Sequence, residues 1–166
     1  AGMTEMDVLP HFHGVAIHDC WASYWKFNVL HAICCAHLLR ELNGVIENHP
    51  EQTWAPRFKK LLLDMKKTKE DAIAMNLASA DEHTIQYYNE EYDAIIQVAF
   101  AENPMVTTEA KKKGRPKKGK VLALIERLQK YKGEVCHFLK DFQIDFDNNQ
   151  ALYAGYFYPH LLPHIA

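Results

Sequence analysis

The chain has 166 residues, enough for one ordinary domain, and its 48% hydrophobic and 24% charged residues argue against a globally disordered polypeptide. Its net charge of −2 conceals a basic segment: residues 111–120 hold seven of the 19 basic residues and no acid, which leaves 12 basic against 21 acidic residues elsewhere. No apolar run reaches the roughly 20 residues that cross a bilayer and no signal peptide is visible, so we expect a cytoplasmic protein with reduced cysteines and no membrane partner.

Two short strands are predicted near the N-terminus. Residues 12–17 form a short apolar run that ends at His18-Asp19, and residues 29–35 form a second one. Runs of this length between polar residues favour buried strands over helices. From Ala36 onward the apolar residues recur every three or four positions, which predicts a helix that ends at His49-Pro50.

Three further helices follow in the sequence. Thr53 is a candidate N-cap for the first, and Ser79 with Glu82 has the spacing of a capping box for the second. The third is expected over residues 121–142, with a bend or break at Gly133. Residues 152–166 carry no Lys, Arg, Asp or Glu and follow no helical or strand period, so we treat them as an aberrant tail.

The basic segment has two interpretations. Its Gly114-Arg115-Pro116 core resembles an AT-hook, in which the arginine enters the minor groove of DNA and flanking lysines contact phosphates. Alternatively, it is a solvated linker between helices. The candidate DNA-binding residues are Lys111, Lys112, Lys113, Arg115, Lys117, Lys118 and Lys120.

Asp19 is the candidate catalytic and metal-binding residue. It follows the first predicted strand directly, and α/β folds gather their functional groups beyond the carboxyl ends of strands. A carboxylate there can bind a hard cation such as Mg²⁺. The alternative interpretation is that Asp19 caps the next helix.

A second candidate site comprises imidazole and thiol groups, which are zinc ligands. Its members are His31, Cys34, Cys35 and His37. Their spacing fits no familiar zinc module, so buried thiols beside ordinary histidines are the alternative interpretation.

The order of these motifs resembles the insertion sequence sixty-six family of bacterial transposases. The resemblance rests on residues 18–24 (HDCWASY), residues 31–42 (HAICCAHLLREL) and residues 146–151 (FDNNQA), and it covers about residues 12–151. The positions that carry the family motif are Tyr24, His31, Cys34, His37, Arg40, Asp147, Asn148 and Asn149.

This resemblance implies a mostly α fold with a small β component, a partial ribonuclease H-like core carrying a helical insertion. It also implies an Asp-Asp-Glu recombinase that cleaves and transfers DNA strands with two Mg²⁺ or Mn²⁺ ions. Asp19 corresponds to the family's second catalytic aspartate. The expected layout is a transposase catalytic domain over residues 4–151, built from a strand-rich piece (12–37), the helical insertion (38–104), a basic loop (105–120) and a C-terminal helix (121–142).

Two departures from the family lead us to expect an inactive fragment that binds no metal stably. The first catalytic aspartate lies upstream in the family, and the position of the glutamate is occupied by Leu152. We expect DNA as the partner, no small-molecule substrate, and self-association through an open sheet edge. The alternative is a non-catalytic remnant that binds DNA through residues 111–120 or serves as a helical protein-interaction domain.

Overall fold

A computed structural model describes residues 14–104 and 119–147 of the chain. These residues form two strands, a short 3-10 turn at Tyr24–Lys26 and six helices. In chain order the elements are β1 (Val15–His18), β2 (Leu30–Ile33), α1 (Cys35–Asn48), α2 (Trp54–Ala74), α3 (Glu82–Glu102), α4 (Lys120–Lys130), α5 (Lys132–Val135) and α6 (His137–Lys140). The described part is therefore mostly helical with a small β component, as predicted. None of its helices is long and apolar enough to cross a bilayer.

The two strands form a parallel sheet in which Val15 pairs with Leu30 and His18 with Ile33. Both strands lie where the apolar runs predicted them, although β2 is shorter than expected. Cys34 leaves the strand and Cys35 begins α1, so the prediction of strand through residue 35 was wrong. The Cys34 amide still bonds to the carbonyl of His18, and the helix begins directly after it.

The three long helices, α1 to α3, pack their apolar stripes into one core that also receives α4 and the C-terminal segment. Leu42 of α1, Phe58 of α2 and Tyr92 of α3 are fully buried there. The Tyr92 hydroxyl donates to the Leu128 carbonyl of α4 at 2.7 Å, which satisfies its one polar group inside the core.

Two helix starts differ from the sequence prediction. Thr53 precedes α2, but its side chain does not cap the helix; the Glu102 carboxylate accepts from the Thr53 amide at 2.9 Å and from its hydroxyl. Before α3, the cap is Asp81, whose carboxylate accepts from the Thr84 amide at 2.9 Å. The capping box of Ser79 and Glu82 was therefore wrong by two residues. Asp81 performs the same function, because its oxygen bonds one of the unpaired amides of the first turn.

The region predicted as one helix over residues 121–142 is three helices, α4 to α6. The first break lies at Tyr131, not at Gly133, and the second at Cys136. Tyr131 leaves the helical conformation where its ring stacks on Trp25, with ring centroids 4.1 Å apart. The break in the helix thus coincides with a tertiary contact that the apolar period does not reveal.

Residues 141–147 form an irregular segment that the helical core binds through its backbone. The Phe142 amide donates to the Ala78 carbonyl at 2.9 Å. The Lys69 ammonium of α2 donates to the Ile144 carbonyl. Lys69 is 6% exposed, and burial lowers the pKa of its ammonium. Buried lysines are rare unless paired, so this contact anchors the segment to α2.

The Lys69 anchor gives a stability prediction. We expect Lys69→Met to lower the free energy of unfolding by about 1–3 kcal/mol, because the buried Ile144 carbonyl loses its donor. Chemical denaturation followed by circular dichroism would measure the change. Lys67→Met, on an exposed position of the same helix, is the control and should leave stability essentially unchanged. Equal stability of both variants and the wild type would show that the buried contact contributes nothing.

Candidate functional site at the Asp19 turn

Asp19 lies directly after β1, as the sequence predicted, and its side chain is exposed. One carboxylate oxygen accepts a hydrogen bond from the Trp21 amide at 3.3 Å. The alternative interpretation, Asp19 as a helix cap, was wrong: the next element is the 3-10 turn, whose N-cap residue is Ser23. The Asp19 side chain therefore closes a turn by bonding to the Trp21 amide, and its remaining oxygen lone pairs face solvent.

The turn contains a strained residue. Cys20 has a φ of 68°, a left-handed conformation that residues other than glycine rarely adopt. Its amide donates to Nδ1 of His18 at 3.0 Å. Strain of this kind persists only where the surrounding contacts impose it, and here the bond to His18 is one such contact.

Two histidines below the turn share a hydrogen bond. Nε2 of His31 lies 3.2 Å from the Phe27 carbonyl, which can only accept, so this nitrogen carries the proton. In a neutral His31, Nδ1 is then an acceptor, and it receives the proton of His18 Nε2 at 3.0 Å. Nδ1 of His18 is in turn the acceptor for the Cys20 amide. All three hydrogen bonds, from Cys20 to His18, from His18 to His31 and from His31 to Phe27, form together only when both rings are neutral.

The environment of His18 opposes its protonation. Its side chain is 1% exposed, its ring stacks on Tyr24 at a centroid distance of 4.6 Å, and the ring edge of Trp25 lies at 4.9 Å. Burial is the main reason that the pKa of His18 falls to about 4; His31 lowers it further and Asp19 partly opposes the shift. At physiological pH, His18 is therefore neutral, and it supports the turn that carries the exposed Asp19 carboxylate by accepting from the Cys20 amide.

Two consecutive amides join the Asp19 strand to the C-terminal segment. The Cys34 amide donates to the His18 carbonyl at 2.8 Å, and the Cys35 amide donates to the Phe146 carbonyl at 2.9 Å. The start of α1 therefore holds both the end of β1 and the residue before Asp147. Asp147 itself is half-buried and belongs to the family motif identified in the sequence.

The zinc hypothesis for His31, Cys34, Cys35 and His37 was wrong for the described structure. Both ring nitrogens of His31 already have hydrogen-bond partners, and the Cys35 thiol is buried beside the carbonyls of Ile33 and Val135. Burial, above all, raises the pKa of the Cys35 thiol well above its usual value, which disfavours the thiolate that zinc requires. Within residues 14–104 and 119–147, no three His, Cys, Asp or Glu side chains are grouped to hold a metal ion.

The side chains at the Asp19 turn differ in whether they can bind a hard cation. Asp19 offers an exposed carboxylate with free lone pairs, whereas both ring nitrogens of its neighbour His18 are occupied. The described residues thus fit one oxygen ligand of a magnesium or manganese site and do not complete such a site.

Two cations of α4, Arg127 and Lys130, lie near enough to Cys20 of the turn to interact with its thiol electrostatically. Arg127 makes an ion pair with Glu41 of α1, and its positive charge partly offsets the burial that raises the pKa of the Cys20 thiol. Lys130 lies above the ring of Tyr131, with 4.7 Å between its nitrogen and the ring centroid. Arg40 is exposed on α1.

Several predicted site residues fall outside the described residues. They are Lys111, Lys112, Lys113, Arg115, Lys117, Lys118, Asn148, Asn149 and Leu152. Lys120 is described and exposed as the first residue of α4.

The sequence reasoning did not identify the histidine pair, although a signal for it was present. Ala16 pairs with His31 in the parallel register, so His18, two residues further on, lies on the same face of the sheet as His31. Pairing the two predicted strands in this register would have brought both imidazoles together. The contribution of Trp25 and Tyr131 to this cluster could not be read from the spacing, because they lie on distant segments.

Comparison with known proteins gives one positive result. The family model described as Transposase IS66 family matches residues 2–151. No curated protein and no solved structure matches the chain.

The low pKa of His18 predicts a pH dependence of stability. Between pH 6.5 and about 4 the unfolded chain binds a proton at His18 that the folded chain does not, so the free energy of unfolding should fall as the pH falls. The loss is at most roughly 3 kcal/mol, at about 1.4 kcal/mol for each pH unit. Denaturation measured from pH 7 to 4 would test this, with His18→Gln showing a flatter profile.

His83, exposed on α3, supplies the matched control. His83→Gln should retain the pH profile of the wild type. A proton resonance of His18 that titrates near pH 6.5 by nuclear magnetic resonance would contradict the prediction.

Proposed function

Because the chain belongs to the IS66 family of transposases, we propose that it is part of a transposase catalytic domain that acts on DNA. The reaction of such a domain is the cleavage and transfer of DNA strands during transposition. The observation that carries the proposal is the family match over residues 2–151 together with the exposed carboxylate of Asp19 at the carboxyl end of β1. In this proposal, Asp19 is the catalytic and metal-binding aspartate.

The topology supports a ribonuclease H-like core around Asp19. β1 ends at the candidate aspartate, β2 lies parallel beside it, and α1 follows β2 within one residue. Carboxylates at the carboxyl ends of parallel strands face the same edge of a sheet, where α/β folds bind ligands. In this assignment, α2 and α3 belong to the helical insertion, within the proposed boundaries 38–104, of a domain over residues 4–151.

The position of the Phe146 segment supports the same assignment. The motif that begins at Phe146 precedes the expected glutamate position in the sequence. The Phe146 carbonyl bonds to Cys35, one residue beyond the amide that bonds to β1. This bond holds Phe146 at the same end of the strands as Asp19, which supports the assignment.

The described residues themselves supply binding and positioning. Asp19 offers one oxygen ligand, while His18 holds the turn from below without competing for a cation, because both of its nitrogens are bonded. When bound, two Mg²⁺ or Mn²⁺ ions would activate the attacking hydroxyl and stabilise the leaving oxygen. Because His18 is neutral, it does not compensate the negative charge of Asp19.

We also propose that the 166-residue chain alone does not catalyse strand transfer. The resemblance expects a glutamate at position 152, where this chain has leucine, whose side chain carries no oxygen ligand. The family match ends at residue 151, directly before this position.

A non-catalytic DNA-binding function is the second candidate, and the basic segment is the observation that favours it. Seven basic residues without an acid in residues 111–120 form the one strongly cationic stretch of an otherwise acidic sequence. Such a chain would bind DNA through phosphates or pair with an intact transposase. Self-association through the edges of the sheet is part of this candidate.

Charge neutralisation in the basic segment should weaken binding to duplex DNA. We expect Lys112→Gln with Lys113→Gln to reduce affinity about tenfold and to lower the salt slope by roughly 1.8, since each lost phosphate contact contributes about 0.9. Fluorescence anisotropy with a labelled 20-base-pair duplex from 50 to 200 mM NaCl measures both quantities.

The control removes the same charge from α2. Lys60→Gln with Lys67→Gln changes two exposed lysines that already pair with Asp64 and Asp71. This variant should bind nearly as the wild type does. Equal weakening by both pairs, or no duplex binding at 50 mM salt, would contradict the role of the segment.

Strand-transfer assays test the proposed inactivity. With Mn²⁺ and an end-labelled duplex, we expect no cleaved or joined product from the wild-type chain, because position 152 supplies no carboxylate. A product that disappears in Asp19→Asn would contradict inactivity while confirming the role of Asp19. A product that persists in Asp19→Asn would contradict the assignment of Asp19 itself.

A further inference from the structure

The side chain of Trp21 is unusual among the aromatic residues of the Asp19 turn. It is 65% exposed, whereas Tyr24 and Trp25 both lie against the ring of His18. The exposed indole of Trp21 is available for contact with a ligand or partner.

The backbone of Trp21 is fixed although its side chain is free. Its amide donates to Asp19 at 3.3 Å, and its carbonyl accepts from the Tyr24 amide at 3.1 Å. Cys20, which has the left-handed conformation, lies between Asp19 and Trp21 in the turn. The indole is therefore presented to solvent from a position tied to the carboxylate, so its ordering on binding costs little backbone entropy.

An exposed ammonium lies near the Asp19 turn, since the charge of Lys130 interacts with Cys20, the residue before Trp21. Lys130 of α4 lies over Tyr131, and Tyr131 stacks on Trp25 of the 3-10 turn that follows Trp21. The interaction with Tyr131 mainly, and with Cys20 to a smaller extent, raises the pKa of Lys130, which keeps its charge. Lys26, at the end of the same 3-10 turn, adds a second exposed cation.

We propose that Trp21 and Lys130 form a binding surface for an unpaired segment of DNA beside Asp19, an inference that rests on the proposed function. The indole stacks on one base, and Lys130 contacts a phosphate of the same strand. Unpaired bases expose the π-face that stacking requires, whereas a paired duplex hides it. The surface therefore selects a frayed or single strand at the site, separately from the duplex contact of residues 111–120.

Binding of a labelled dT20 oligonucleotide to the full chain tests this surface. Trp21→Ala should weaken binding about 5- to 150-fold, because stacking on one base contributes roughly 1–3 kcal/mol, and Trp21→Phe should stay within about threefold of the wild type. Lys130→Gln should weaken binding and lower the salt slope by about 0.7. Binding should also quench the tryptophan emission of the wild type, and Trp21→Phe should lack this quenching.

Tyr87→Ala is the matched control, since Tyr87 is 54% exposed on α3. It should bind dT20 as the wild type does. Unchanged affinity of Trp21→Ala, or full binding without quenching, would overturn the proposal. So would tighter binding of rU20 than of dT20, or a Trp21→Ala variant that loses self-association in sedimentation but keeps its affinity for dT20.

The outcome also separates this surface from the proposed function. If duplex binding by residues 111–120 persists while Trp21→Ala has no effect on dT20, only the Trp21 surface is wrong. If neither dT20 nor the duplex binds at 50 mM salt, the DNA function fails together with it.

Discussion

The arrangement of the described residues depends on the hydrogen bonds of two adjacent amides. The Cys34 amide bonds to the His18 carbonyl at the end of β1, and the Cys35 amide bonds to the Phe146 carbonyl. These two consecutive residues therefore connect the sheet, α1 and the C-terminal segment. The Cys35 amide is among the first amides of α1, which have no partner within their own helix. A buried amide without a partner costs free energy. The Phe146 carbonyl therefore stabilises the start of α1, and the Cys35 amide in turn fixes the Phe146 segment. Lys69 reinforces this connection from α2, since its ammonium bonds to the carbonyl of Ile144.

The Asp19 turn holds an accessible carboxylate next to a neutral histidine. A protonated histidine beneath it would form an internal ion pair and compete with any external cation. The packing prevents this, because His18 is surrounded by rings and its two nitrogens are committed to the Cys20 amide and to His31. Protonation of Nδ1 would place two N–H groups against each other and release the strained turn at Cys20. The neutral histidine therefore determines both the shape of the turn and its electrostatics.

Local sequence signals predicted the elements whose causes are local. β1, the helices over residues 35–102 and the place of Asp19 follow from apolar periods, proline positions and the family motif. The errors arise where a distant residue decides the outcome. Glu102, 49 residues away, takes the capping role expected of Thr53, and the predicted C-terminal helix breaks at Tyr131, where Trp25 stacks on its ring. The histidine pair was missed for a related reason: its members lie on two strands, and only their register brings them together.

The electrostatics of the turn also explain why an aromatic contact suits this surface. Asp19 is exposed and negative, so without a bound cation it repels a phosphate that approaches it. Arg127 does little to offset this repulsion, because Glu41 already pairs with it. A strand that reaches the carboxylate therefore needs one contact that does not depend on charge and one cation placed away from Asp19. In the proposed surface, Trp21 supplies the first through stacking, and Lys130, held over Tyr131, supplies the second. In this proposal, the net negative charge of the rest of the sequence disfavours nucleic-acid contact outside the turn and the basic segment.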